Sequence, residues 1–462
     1  MPRLIRLACG VLQVPHLLGA LFLFSTFTSS VFSASPPLLT NVKIDGRYNG
    51  VLSSSGPLSA EQLHKMGPPK TQQLRSATTL TSSPTYTYLR CFYRIDSNPL
   101  KPATNYVWGR QPGNNDYYRI NGYWRGSGVF DWKNMFYTDT PQDALQSACA
   151  STLINAGVTT PPVMMAAADN QLSFNYTAWT NDVPTTSTRI NKIIVFGDSL
   201  SDTQNLYNAS QWKSPNANSW FLGRFSDDKV WVEHLANQLA LPFYNWAVAG
   251  AAADTYIVIP GMEQQVQSWR DYMQVAHDYQ VGNSLFTMLI GANDLINYNR
   301  TVDQIITAQR TALEKLINAG GRHILLLNLP DISRAPVFLL RSGRDIVAAQ
   351  VVDYNQRLTA LVSSLRTKYG ATLDLNIFDA NALFADLMSN PAKYQVSNTT
   401  DSCLNINSAA STNYLYKQTP RTICNNPDAF VFWDSLHPTS HTHKLLANSV
   451  AGFVSQRYLT VK

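Results

Sequence analysis

A chain of 462 residues with 36 Lys and Arg against 30 Asp and Glu carries a formal charge of +6. Its 45% hydrophobic and 14% charged residues suit a globular protein with room for two domains and exclude a disordered one. The charge is modest for the length and no long Lys/Arg run occurs, which excludes nucleic acid as a partner; anionic lipid headgroups remain compatible.

Arg3 and Arg6 precede an apolar run from Leu17 to Phe24 that fades into small residues. This reads as a secretory signal over 1–34, cleaved near Ser33 to Ser35, and makes the protein secreted. Gln13, Pro15 and His16 interrupt the run, which falls short of the roughly 20 apolar residues of a membrane span. Residues 35–83, rich in Ser, Thr, Pro and Gln, read as a linker.

From 84 to 187 the chain is dense in Tyr and Trp. Asn121-Gly122 and Gly126-Ser127-Gly128 read as hairpin turns between short strands, and Pro141 to Ala156 as a helix ending at Gly157. The expectation is a small β-rich domain. Its aromatics would meet a membrane or sugar surface if exposed, or form a small core if turned inward.

From 188 to 462 strand and helix patterns alternate. Strands are expected at Lys192–Phe196, Phe243–Trp246, Leu285–Ile290, Ile324–Leu329 and Leu373–Phe378. Helices are expected near 228–240, 261–279, 302–319 and 344–369, with a last one after Pro438. This is the pattern of an α/β domain with a parallel sheet and helices on both faces, in which ligands bind at the carboxyl ends of the strands.

Cys9 falls within the signal. Cys91, Cys149, Cys403 and Cys424 remain, an even number in an exported chain. Three pairings are open; keeping each within one domain favours Cys91–Cys149 and Cys403–Cys424. The second would close a polar loop containing Tyr414, Leu415 and Tyr416 shortly before Asp434, as a surface staple or as a lid over the cleft.

The chemistry gathers where strands end. Ile193-Ile194-Val195-Phe196 runs into Gly197-Asp198-Ser199-Leu200, placing Ser199 on a turn that leads to a helix. "NWAVAGAAA" puts Gly250 after the second strand and "LIGANDL" puts Asn293 after the third. "DSLHP" puts Asp434 and His437 three residues apart, ahead of the last helix. Each residue alone has an ordinary reading as a cap or turn; together they form a constellation. Asp198 can brace the serine turn, and Asp202 and Asn205 can tether the following helix.

With these motifs in this order, the sequence resembles the SGNH/GDSL hydrolases, which implies a flavodoxin-like α/β fold. The stretches "NMFYTDTPQ", "NASQW" and "NSWFLG" narrow the resemblance to the thermolabile haemolysins and secreted glycerophospholipid–cholesterol acyltransferases of Gram-negative bacteria. Gln204 departs from that branch's usual glycine, so a small local change is expected there.

A neutral serine needs a base, and His437 can take the Ser199 proton while Asp434 orients the imidazole. The N–H groups of Ser199 and Gly250, with the Asn293 amide, can hold an oxyanion. The resemblance implies phospholipid and lysophospholipid substrates, a sterol acceptor and peripheral membrane contact; a carbohydrate esterase is the alternative on the same core. His437 and His441 have an i, i+4 spacing, but the zincin glutamate is missing and Pro438 lies between them, so no metal or cofactor is implied.

Overall fold

The computed structural model describes residues 59–68, 85–125, 133, 135–169, 174–180 and 190–459. The expected signal over 1–34 and the Gly126-Ser127-Gly128 turn lie outside these residues.

Part of the stretch expected to be a linker is structured. Ser59 accepts from the Gln62 N–H and Gln62 answers to the Ser59 N–H, a capping box that starts helix α1, Ala60–Lys65. Leu63 buries against the β-rich unit, and the Tyr117 hydroxyl donates to the Met66 carbonyl. Periodicity could not reveal a helix of six residues.

The β-rich unit is built around one long strand, β1 (Thr85–Arg94). It pairs antiparallel with β2 (Thr104–Trp108), β3 (Arg119–Arg125) and β5 (Met164–Ala168). β3 continues to β4 (Met135–Thr138), and β4 pairs parallel with β6 (Thr177–Thr180). Helix α2, Gln142–Asn155, covers the sheet, and Cys149 on it bonds to Cys91 on β1. The aromatics turn inward: Tyr88, Trp108, Phe136, Tyr137, Tyr176 and Trp179 are all buried.

Asn121-Gly122 is not a hairpin turn. Both residues sit inside β3, opposite Tyr86 and Thr85. A Cβ on Gly122 would lie 1.8 Å from the Tyr137 carbonyl oxygen, so the glycine serves close strand approach rather than a reversal.

The second unit alternates strand and helix. Strands β7 (Lys192–Gly197), β8 (Phe243–Asn245), β9 (Ser284–Leu289), β10 (His323–Leu327) and β11 (Asp374–Phe378) form one parallel sheet in the order β11-β10-β9-β7-β8. This is the flavodoxin-like order, with the chain's direction of travel reversing beside β7. Short helix α3 (Asn205–Ala209) follows β7. Helices α4 (Trp231–Leu239), α5 (Met262–Met273), α6 (Ala292–Ile296), α7 (Val302–Asn318) and α8 (Arg344–Tyr369) come between later strands or lead into them. Helix α9, Ala380–Ser389, was not anticipated; Asp379 caps it by accepting from the Ala382 N–H. Strands β12 (Asn398–Ser402) and β13 (Phe430–Phe432), a parallel pair, were not anticipated either. Helix α10, Ser440–Val454, closes the unit.

Helix α5 stops at Met273, short of the expected Tyr279. The Tyr137 hydroxyl donates to the Tyr272 carbonyl at 2.6 Å and the Tyr123 hydroxyl to the Val275 carbonyl at 2.5 Å. The β-rich unit thus satisfies carbonyls that a longer helix would have bonded internally. Trp179 of β6 packs on Tyr244 of edge strand β8, ring centroids 3.9 Å apart.

Gly122→Ala should therefore destabilise the protein by about 1–3 kcal/mol through overpacking. Urea unfolding should show an earlier midpoint than wild type; an unchanged midpoint would mean that β3 and β4 separate without cost.

Candidate active site

Ser199 stands on the turn just beyond the end of β7, after Asp198, and is largely buried. Its Oγ lies 2.8 Å from His437 Nε2. His437 Nδ1 lies 2.9 Å from both carboxylate oxygens of Asp434. An ionised carboxylate only accepts, so Nδ1 carries the proton and Nε2 is left as an acceptor facing the serine hydroxyl. Asp434 is fully buried. Oδ1 accepts from the Leu436 and His437 N–H groups at 2.8 and 2.9 Å, and Oδ2 from the Trp220 indole at 2.9 Å. The tight turn between β13 and α10 brings residues 434 and 437 face to face.

The other two residues sit on the neighbouring strand ends. Gly250 follows β8 with φ +82°, a conformation in which glycine is unstrained. Its carbonyl accepts from the Tyr298 hydroxyl at 2.6 Å. Among the described residues no hydrogen bond uses the Ser199 or Gly250 N–H. Asn293, in the first turn of α6, donates one amide hydrogen to the Ala251 carbonyl at 2.9 Å and accepts from Asn297 at 2.7 Å. This fixes the amide and leaves its second hydrogen available. The structure therefore brings Ser199, His437 and Asp434 into one hydrogen-bonded chain and holds Gly250 and Asn293 in the segments that follow the two strands beside β7.

Asp202 locks these loops together. Its carboxylate accepts from the N–H groups of Gln204, Asn205, Leu206 and Ala249. Asn205 donates to the Asn245 and Ala247 carbonyls, and Asn245 donates to the Ser201 carbonyl. Gln204 sits at φ −179°, extended backbone open to any residue, so its replacement of glycine leaves no strain. Burial drives the Asp202 carboxyl up against the four N–H groups that pull it down.

Several neighbours were not singled out from sequence. Phe225 packs against His437 with the rings tilted, 4.9 Å between ring centroids, and the Tyr414 hydroxyl lies 3.3 Å from His437 Nδ1. Trp220 lies in a stretch that carried the family resemblance, but its contact with Asp434, like that of Phe225 with the imidazole, spans more than two hundred residues. The Cys403–Cys424 disulfide forms, and its loop lies beside the His437–Asp434 pair. The apolar trio does not act together: Tyr414 packs on Trp220 and Phe225, whereas Tyr416 is exposed. The Asn216 N–H donates to the Tyr414 carbonyl, and the Gln418 N–H to Ser219 Oγ. These bonds tie the loop to the 216–219 segment. His441 Nε2 lies 2.8 Å from the Tyr394 carbonyl, directed away from His437. Among the described residues no three His, Cys, Asp or Glu side chains group as a metal site.

Residues 57–181 match the family model of the Vibrio dual lipase/transferase N-terminal domain, and residues 193–450 that of the GDSL-like lipase/acylhydrolase. The chain belongs to the GDSL-like lipase/acylhydrolase family. The thermolabile hemolysin of Vibrio parahaemolyticus serotype O3:K6 (strain RIMD 2210633) is 41% identical over 372 residues, 79% of this chain and 87% of its own. The phosphatidylcholine-sterol acyltransferase of Aeromonas hydrophila is 28% identical over 318 residues, 58% of this chain and 91% of its own.

Asp198 offers a test of the buried electrostatics. Its Oδ1 accepts from the Leu200 N–H, while Oδ2 has no partner among the described residues. Burial pushes its carboxyl up to about 7 from the usual 3.8. Between about pH 4 and pH 7 the folded protein holds a proton that the unfolded chain has released, so this residue's contribution to stability falls as pH rises through that window. Asp198→Asn lacks the titration. Its stability relative to wild type should climb from pH 4 to 7 and level above, as read by urea unfolding at a series of pH values; a pH-independent difference would contradict the buried, protonated state.

Proposed function

We propose that this is a secreted serine ester hydrolase that cleaves acyl esters of glycerophospholipids and lysophospholipids and transfers acyl groups to a sterol hydroxyl. The observation that carries the reading is the unbroken chain from Ser199 Oγ through His437 to the buried Asp434, beside the Gly250 and Asn293 donors. Ser199 is the nucleophile. As its oxygen bonds to the ester carbonyl carbon, His437 Nε2 takes the hydroxyl proton and Asp434 steadies the imidazolium. The carbonyl oxygen becomes an oxyanion between the N–H groups of Ser199 and Gly250 and the free hydrogen of the Asn293 amide. Collapse breaks the ester C–O bond, and the departing alcohol leaves with the proton from His437. Water then attacks the acyl-serine and releases a fatty acid, or a sterol hydroxyl attacks and leaves as its ester.

The phospholipid and sterol parts draw support from the relative named as a phosphatidylcholine-sterol acyltransferase. Export is supported by the N-terminal charge and apolar pattern and by two disulfides. Among the described residues no helix is long and apolar enough to cross a membrane.

Ser199→Ala should abolish labelling by a fluorophosphonate probe and nearly all fatty-acid release from phosphatidylcholine vesicles containing cholesterol, without loss of fold. Persistent labelling would place the nucleophile elsewhere. Asn293→Ala should lower kcat about 10²–10³-fold with a smaller change in KM, since its hydrogen bond strengthens as charge develops. Steady-state kinetics on a soluble ester decide this, and an unchanged kcat would reduce Asn293 to a turn residue.

A further inference from the structure

The proposed reaction uses the carboxyl ends of β7, β8 and β9. The ends of β10 and β11 lead instead to an apolar cavity of ≈ 100 Å³. Near the site it is lined by Leu200, the residue after Ser199, by Leu289 at the end of β9 and by Leu436, the residue before His437. Its far wall is Leu383, Phe384 and Leu387 of α9.

Apart from His443 Nε2, which has no hydrogen-bond partner among the described residues, the few polar groups in the lining are bonded elsewhere. Asp331 accepts from the Ser333 N–H and hydroxyl, and Thr442 donates to the Val431 carbonyl. The Tyr394 hydroxyl bonds to Asp386, and the Trp231 indole donates to Ser201. His443 is kept neutral, because burial pushes its imidazole down to about 3. What faces the cavity is mostly hydrocarbon, with a neutral imidazole among it. Such a surface holds water poorly, and an unfilled void of this size weakens a core. A cavity lined by the chain neighbours of Ser199 and His437 therefore suits an alkyl chain.

We infer that this cavity seats the acyl chain of the ester, entered between Leu200 and Leu436 and closed by the α9 wall, and that it sets the enzyme's chain-length preference. The inference rests on the proposed role of Ser199. The ester carbonyl then sits over Ser199 with its oxygen towards Gly250 and Asn293, the acyl chain runs towards β10 and β11, and the alcohol leaves on the open side. Each further methylene buried in an apolar site favours binding about fourfold, so the depth of the cavity reads directly as selectivity.

The test holds the leaving group constant. The full-length enzyme is assayed on p-nitrophenyl butyrate, laurate and palmitate, with circular dichroism to establish folding. Leu387→Trp fills the far wall and should lower the palmitate-to-butyrate ratio of kcat/KM at least about tenfold. Phe384→Ala opens that wall and should raise the same ratio, which decides the matter if the tryptophan variant fails to fold. A wild-type ratio in folded variants overturns the inference. So does an unchanged ratio accompanied by altered selectivity among acetate esters of short and long alcohols, which would make the cavity a leaving-group site. Ser199→Ala is run in parallel: if it still hydrolyses butyrate, the nucleophile assignment has failed, independently of the chain-length result.

Discussion

A fully buried carboxylate must be hydrogen-bonded, or its desolvation would destabilise the fold by several kcal/mol. Asp434 meets that requirement with donors from three places: the N–H groups of its own turn, the His437 ring, and the Trp220 indole more than two hundred residues earlier. The Trp220 contact draws the segment around residues 216–226 against the C-terminal turn. Around it gather Trp433, whose indole donates to the Ser219 carbonyl, and the Cys403–Cys424 disulfide. The imidazole is thereby oriented by a core, not by a flexible loop. Phe225 and Tyr414 fill the remaining space around the ring.

Asp202 plays the matching part on the serine side. Four backbone N–H groups converge on one buried carboxylate, tying the turn after Ser199 to the loop that presents Gly250. The Asn205 and Asn245 amides cross between the same loops. Tyr298 reaches back to the Gly250 carbonyl, and Asn293 to the Ala251 carbonyl, so the β9 end is fixed to the β8 end as well. Preorganised donors are effective because they need not reorient as charge develops. Here the rigidity comes from side-chain amides and carboxylates that bond backbone rather than solvent.

The β-rich unit acts on the other through its edge. Trp179 covers β8, the edge strand of the parallel sheet, and two tyrosine hydroxyls terminate α5. Met135, Tyr137 and Trp179 belong to the same packed cluster as the central strands. An edge strand left open would invite pairing with another chain, and aromatic cover removes that hazard. The high aromatic content thus supplies two linked cores.

Much of this was legible in the sequence because it depends on local pattern. Apolar runs at strand length and helical periods between them dictate a parallel α/β sheet, and the helix from Arg344 to Tyr369 begins and ends where its periodicity does. Ser199, Gly250 and Asn293 could be placed because each lies in the segment that follows a strand, and Asp434 and His437 because they share one tight turn. Elements whose signal is short or non-local were not legible. The six-residue α1 has no room for a period, α9 is capped by Asp379 and by the distant Asn328, and Gly122 lies in a strand where a carbonyl from β4 approaches it. Trp220, Tyr298, Phe225 and Tyr414 reach the site only through contacts made after the chain has folded. Sequence by itself determined which residue types stand at the strand ends and which family they mark. Tertiary structure alone decided what surrounds them, since burial, partners and cavities arise from packing between segments whose separation along the chain carries no local pattern.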